Sequence, residues 1–128
     1  MSPKHSDNST IQNTARRSRH GLLLSKLRLE QKGAYKVNGF IYRGKTFAAQ
    51  KKYAKALEYY KKAHAYLKTY PSTRLAGEIY YLRGIVYKKQ KKTRESLKMF
   101  IEATNIFRGK GNLRFVDKIE REITEVSI

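Results

Sequence analysis

The sequence predicts an all-α fold: a solenoid of two helical hairpins with an N-terminal helix and a C-terminal capping helix. Three observations carry this. A stretch of the chain occurs twice, at residues 42–63 and 82–103, forty residues apart, with seven identities in twenty-two positions (Arg43/Arg83, Gly44/Gly84, Gln50/Gln90, Lys51/Lys91, Lys52/Lys92, Leu57/Leu97 and Ala63/Ala103). A repeat of this period is the signature of stacked helical units. Within each copy, large and small apolar residues fall at i, i+4 and i+7, which is one face of a helix. Each half of a copy alone would leave an apolar stripe in water, so the halves must pair as antiparallel hairpins and the hairpins must stack.

Taken in order, residues 1–13 are polar and are expected to be a disordered tail. Residues 14–32 form a basic amphipathic segment in which Arg16, Arg17 and Arg19 precede Leu22–Leu24. Three readings of it stand side by side: a helix packed on the first hairpin, a basic arm for nucleic acid, or an organelle-targeting segment, whose composition is the same. Gly33 is expected to mark a break, and the repeat domain to span 34–126. The first hairpin covers about 34–69, its helices running 34–49 and 53–69. Residues 70–73 connect, with Pro71 disfavouring helix at Tyr70 and Ser72 or Thr73 as N-cap. The second hairpin covers about 74–108, its helices running 74–89 and 93–107, with Thr93 as the cap of the latter. Gly109-Lys110-Gly111-Asn112 ends it on a left-handed glycine. Residues 113–126 are a last amphipathic helix with Phe115 or Val116, Ile119, Ile123 and Val126 on its stripe.

The first helix of each hairpin carries an aromatic–glycine–aromatic set: Phe40, Gly44, Phe47 and Tyr80, Gly84, Tyr87. A glycine inside a helix costs about 1 kcal/mol relative to alanine. Finding it at the same place twice predicts that a neighbouring helix lies against that point. The second helices supply the partner: Tyr53, Ala56, Leu57, Tyr60, Ala63, Leu67 and, forty residues on, Thr93, Ser96, Leu97, Phe100, Ala103, Phe107. Small residues let the helices approach and large ones fill the gaps beside them.

This pattern resembles the tetratricopeptide repeat over about residues 34–109. The family's small residue in the first helix falls on Gly44 and Gly84, and the aromatic three later on Phe47 and Tyr87. The alanine opening the second helix falls on Ala56 and, as serine, Ser96. The aromatic four later is Tyr60 and Phe100, and the closing alanine Ala63 and Ala103. The chain departs from the family at the turn, where the usual Gly-Asp is Lys-Lys in both copies, and in its forty-residue period, which resembles the longer-helix members. The resemblance implies a concave groove lined by the first helices, here Asn38, Ile41, Lys45 and Ala48 with Glu78, Tyr81, Ile85 and Lys88, holding a peptide or protein partner. The chaperone-tail clamp of some members needs an asparagine where this chain has Lys45 and Ile85, so that specificity is not implied.

Composition narrows the rest. Twenty-nine basic residues stand against ten acidic, a net charge of +19, all of it before residue 110. Such a chain repels itself unless it meets anions, so an acidic protein, a nucleic acid or an anionic membrane is the expected class of partner. With no cysteine, disulfides, thiolate metal sites and thiol nucleophiles are excluded. The three histidines, His5, His20 and His64, are not at metal-ligand spacing, and no phosphate-loop motif is present. No enzyme, metal or cofactor is therefore expected. No apolar run approaches the roughly 20 residues that cross a bilayer, and an intracellular home is the default expectation. Lys51 and Lys52 at one turn, and Lys88, Lys89, Lys91 and Lys92 at the next, should form a basic ridge on one edge, the turns about 10 Å apart by helix-packing distances. The function expected is a protein-interaction scaffold; a nucleic-acid-associated role through the ridge and the Arg16–Arg19 arm is the alternative. Two repeats are few, so self-association is also an expectation.

Overall fold

The computed structural model describes residues 23–25, 28 and 31–127. The chain divides into two compact units, Met1–Gly33 and Ala34–Ile128. In the first, residues 23–25, 28 and 31–33 are helical. Gly33 is itself helical rather than a break. Its cost is only the modest entropic one of any helical glycine.

The second unit is built of helices alone among its described residues. We label them α1 (34–49), α2 (Tyr53–Tyr66), α3 (Thr73–Lys89), α4 (Thr93–Gly109) and α5 (Leu113–Ser127). The forty-residue period is kept in the helix starts, Tyr53 and Thr93 for one layer, Thr73 and Leu113 for the other. It is also kept in the caps. Ser72 Oγ accepts from Leu75 N at 3.2 Å, and Asn112 Oδ1 accepts from Phe115 N at 3.2 Å. Each satisfies one of the free N–H groups that open a helix. Thr93 does not cap α4; it is the helix's first residue, and Lys92 holds the cap position.

Two apolar clusters result. One gathers Val37 and Ile41 of α1, Ala56, Leu57, Tyr60 and Ala63 of α2, and Leu75, Ile79 and Val86 of α3. The other gathers Phe100, Ala103 and Phe107 of α4 with Val116 and Ile119 of α5, and Tyr80, Tyr81 and Ile85 of α3 pack against it. Helix α3 is thus buried on two sides and joins the hairpins.

The repeated glycines sit where the spacing places them. A Cβ on Gly84 would lie 2.5 Å from Cε1 and 2.6 Å from Cδ1 of Phe100; one on Gly44 would lie 2.6 Å from Cδ1 of Tyr60. Both rings are almost wholly buried. Sequence reasoning passed over a third such contact. A Cβ on Gly77 would lie 2.9 Å from Cε2 of Phe107 and 3.0 Å from Cγ2 of Ile106. Gly77 and Gly84 are seven residues apart, so α3 turns two glycines toward α4. Ser96, fully buried where α2 has Ala56, donates its hydroxyl to Gly84 O at 2.9 Å. The polar atom that would otherwise be an expense at this contact is paired. Burial, and Glu78 beside it, push the Tyr60 hydroxyl up to about 12.

Gly39, by contrast, has nothing within 4 Å of its Cβ position. Alanine there should raise stability by about 1 kcal/mol through helix propensity. Alanine at Gly84 should lower it by about 1–2 kcal/mol, because the overpacking cost exceeds the same propensity gain. Urea denaturation of the two single variants checks the opposite signs.

Candidate functional site

The helices form two layers, α1, α3 and α5 in one and α2 and α4 in the other. Neighbours in the first layer run parallel. Tyr81 meets Phe115 edge-on at 5.2 Å, and Lys88 meets Glu122 at 2.7 Å, both pairs thirty-four residues apart; Lys45 of α1 meets Glu78 of α3 at 3.8 Å. The face of this layer turned away from α2 and α4 is the candidate groove.

Of the residues expected in it, Asn38 and Lys45 are exposed on α1. Ile41 is not in the groove. It is 3% exposed and belongs to the first core cluster, because α3 lies over it. Ala48 is half-buried against the same cluster. Glu78 bridges Lys45 and Arg74, the latter at 3.7 Å. Tyr81 and Ile85 are half-buried against the second cluster and offer one edge each. Lys88 also departs from expectation. Its ammonium is held between Glu122 and Glu125 of α5. These two hydrogen bonds raise the Lys88 pKa and, in return, hold Glu125 low. Lys88 is an interhelix tie, not a free groove or ridge cation.

Helix α5 contributes what sequence reasoning missed. At about 100° per residue, Arg114, Lys118 and Arg121 lie opposite Val116, Ile119 and Ile123, the side that packs on α4. They line an open cleft of about 710 Å³ with Asn112 and Phe115. The Lys118 ammonium is 5.3 Å from the centre of the Tyr81 ring and 5.5 Å from that of Phe115. Phe115 in turn stacks on Phe107 at 4.2 Å, so the aromatic floor is fixed to the core. Burial, with Glu122 adding to it and Lys88 opposing, raises the Tyr81 hydroxyl. The signal was present as basic residues at i, i+4 and i+7. It was hidden by the net charge of residues 110–128, where Asp117, Glu120, Glu122 and Glu125 balance Lys110, Arg114, Lys118 and Arg121.

The expected ridge residues Lys51, Lys52, Lys89, Lys91 and Lys92 are all exposed. Lys51 and Lys91 each have φ of 62°, the left-handed region that costs a non-glycine residue about 1–2 kcal/mol. The turns explain why that conformation is needed. Lys52 N donates to Phe47 O at 2.8 Å and Lys51 N to Ala48 O at 2.9 Å; Lys92 N donates to Tyr87 O at 2.9 Å and Lys91 N to Lys88 O at 3.0 Å. This paired closure is the left-handed helix terminator usually filled by glycine. The turn after α4 closes the same way, Asn112 N to Phe107 O at 2.9 Å, with Gly111 at φ 75°; Gly109 lies inside α4. Lys52 and Lys92 follow as helix caps without a side-chain cap bond, and their charge opposes the helix dipole. The arm residues Arg16, Arg17 and Arg19 lie outside the described residues.

A second cleft, of about 360 Å³, is bordered by His64, Lys68, Ser72 and Thr73. Burial, then the charges of Arg83 and Lys68, lowers the His64 pKa. No three potential metal ligands gather among the described residues.

A family model of the tetratricopeptide repeat matches residues 39–109, more than half of the chain. The chain belongs to the tetratricopeptide-repeat family. Neither the curated proteins nor the solved structures give a match. Within the family's frame, the Lys-Lys turns of this repeat protein stand where glycine would be the relaxed choice. Replacing Lys51 or Lys91 by glycine should therefore raise stability by about 1 kcal/mol each. Replacing Gly111 by lysine should lower it by a similar amount. Denaturant midpoints of the three variants test this.

Proposed function

We propose that this tetratricopeptide-repeat protein is a non-catalytic scaffold that binds an extended acidic peptide segment across α1, α3 and α5. Repeats of this family mediate protein–protein interaction, and binding of this kind needs no reacting groups. The observation that carries the acidic specificity is the α5 cleft. Three cations, Arg114, Lys118 and Arg121, line it around Phe115, and no carboxylate lines it. A carboxylate-bearing segment would meet complementary charge there, and an apolar side chain would find the Phe115 ring. Asn38 and Lys45 extend the polar track along α1. No helix among the described residues is long and apolar enough to cross a membrane.

A peptide library displayed on phage, selected against the full chain, should enrich acidic segments carrying at least one large apolar residue. The selected peptides, made synthetically, should bind an Arg114→Glu/Lys118→Glu variant at least about tenfold more weakly, with charge reversal acting through lost complementarity. Circular dichroism should be unchanged, since both side chains face solvent. Selected peptides without acidic bias, or affinity unmoved by the double reversal, would contradict this reading.

A further inference from the structure

A second surface lies on the edge where α1 turns into α2 and α3 turns into α4. Because α1 and α3 run parallel, both corners are on one side of the molecule. Each corner carries the same adjacent lysine pair, Lys51-Lys52 and Lys91-Lys92, all four exposed. None of the four is in an ion pair with a described residue, whereas Lys45, Lys62, Lys88, Arg74 and Arg108 are. Lys89 and Arg94 extend the second corner and Lys55 the first. Glu95 is the single carboxylate in the first turn of either following helix.

We infer that this edge is a binding surface for the phosphate backbone of nucleic acid. Three observations point there. The chain places lysine at a left-handed position twice, although it uses glycine for the same turn at residue 111. A local rule broken twice at one register, at a cost in stability, marks a site kept for something other than folding. Lysine brings charge without the planar fork of arginine, which suits contact with phosphates along a strand rather than reading of bases. The surface also lacks what a protein partner would need. The exposed large apolar residues of the described chain are Leu23, Leu24, Tyr35, Tyr42, Ile101 and Leu113, and none lies at either corner. Protein interfaces are centred on buried apolar or aromatic anchors, whereas interfaces with nucleic acid are polar and strongly positive. The net charge of +19 supplies the long-range attraction.

The test separates charge from folding because the glycine and serine replacements suit the local backbone. Full-length chain is titrated into a fluorescein-labelled single-stranded oligouridylate and followed by anisotropy over a series of salt concentrations. The variant Lys51→Gly/Lys52→Ser/Lys91→Gly/Lys92→Ser should melt no lower than the parent. It should bind at least about tenfold more weakly at low salt, and its slope of log affinity against log salt should be shallower by about 3, the share of four phosphate contacts on a single strand. The corresponding four-arginine variant should retain binding. Its peptide binding through the α5 cleft should be unchanged in both variants, which keeps this inference separate from the scaffold reading. Affinity and salt slope equal to the parent's in the glycine–serine variant would overturn the assignment. So would poly-glutamate that competes for the same four lysines as strongly as oligouridylate of equal charge, which would assign the edge to an acidic protein instead.

Discussion

Each hairpin of this protein closes on the contact between a helical glycine and an aromatic ring, Gly44 with Tyr60 and Gly84 with Phe100. The absence of a β-carbon lets each ring lie on the backbone of the facing helix. That contact fixes how close the two helices run and, through the neighbouring small residues Ala56, Ala63, Ser96 and Ala103, their register. The two contacts are not equivalent. The α3–α4 pair adds Gly77 against Phe107 and the Ser96 hydroxyl on Gly84 O, so it combines two close approaches with a buried hydrogen bond. The corresponding position on α1 is Val37, a core residue. Since α3 also closes the first cluster, the arrangement of the whole repeat unit passes through this one helix.

With the hairpins fixed, the two candidate surfaces follow from topology. The layer α1, α3, α5 leaves one long face open, and the corners of the hairpins fall along one edge. The two surfaces differ in chemistry. The α5 cleft sets cations around a rigid aromatic floor, an arrangement that can hold one segment in one orientation. The lysine corners have charge and no apolar anchor, which gives strength at low salt and little selectivity. Lys88 illustrates how packing decides between these fates. It stands three residues before the Lys91-Lys92 corner, yet α5 brings Glu122 and Glu125 to it, and the cation holds α5 to α3.

Much of the fold is legible in the residues. The period of forty, the glycines at 44 and 84 and the rings at 60 and 100 are enough to state which helix meets which, because only close packing makes a repeated helical glycine worth its cost. Residues facing sideways along the layer were less legible. Ile41 looks like a groove residue on a helical wheel of α1 alone; only the placement of α3 buries it. Tyr81 is its counterpart forty residues on and meets α5 in the same way. Backbone conformation was not legible at the corners. Nothing in the letters Gln-Lys-Lys announces a left-handed lysine, and Thr93 reads as a better cap than Lys92, yet the terminator hydrogen bonds place Lys91 and Lys92 first. The basic set of the α5 cleft was not legible from charge alone, since residues 110–128 carry four basic and four acidic residues.

The account stands most directly on the steric coupling between Gly84 and Phe100, and a double-mutant cycle of Gly84→Ala with Phe100→Leu measures it by urea denaturation. If the ring rests on the glycine, alanine should be destabilising beside phenylalanine and close to neutral or stabilising beside leucine, a coupling of about 1–2 kcal/mol between touching residues. Equal effects of alanine in both backgrounds would mean that the ring and the glycine do not meet, and the packing described here would be wrong at its centre.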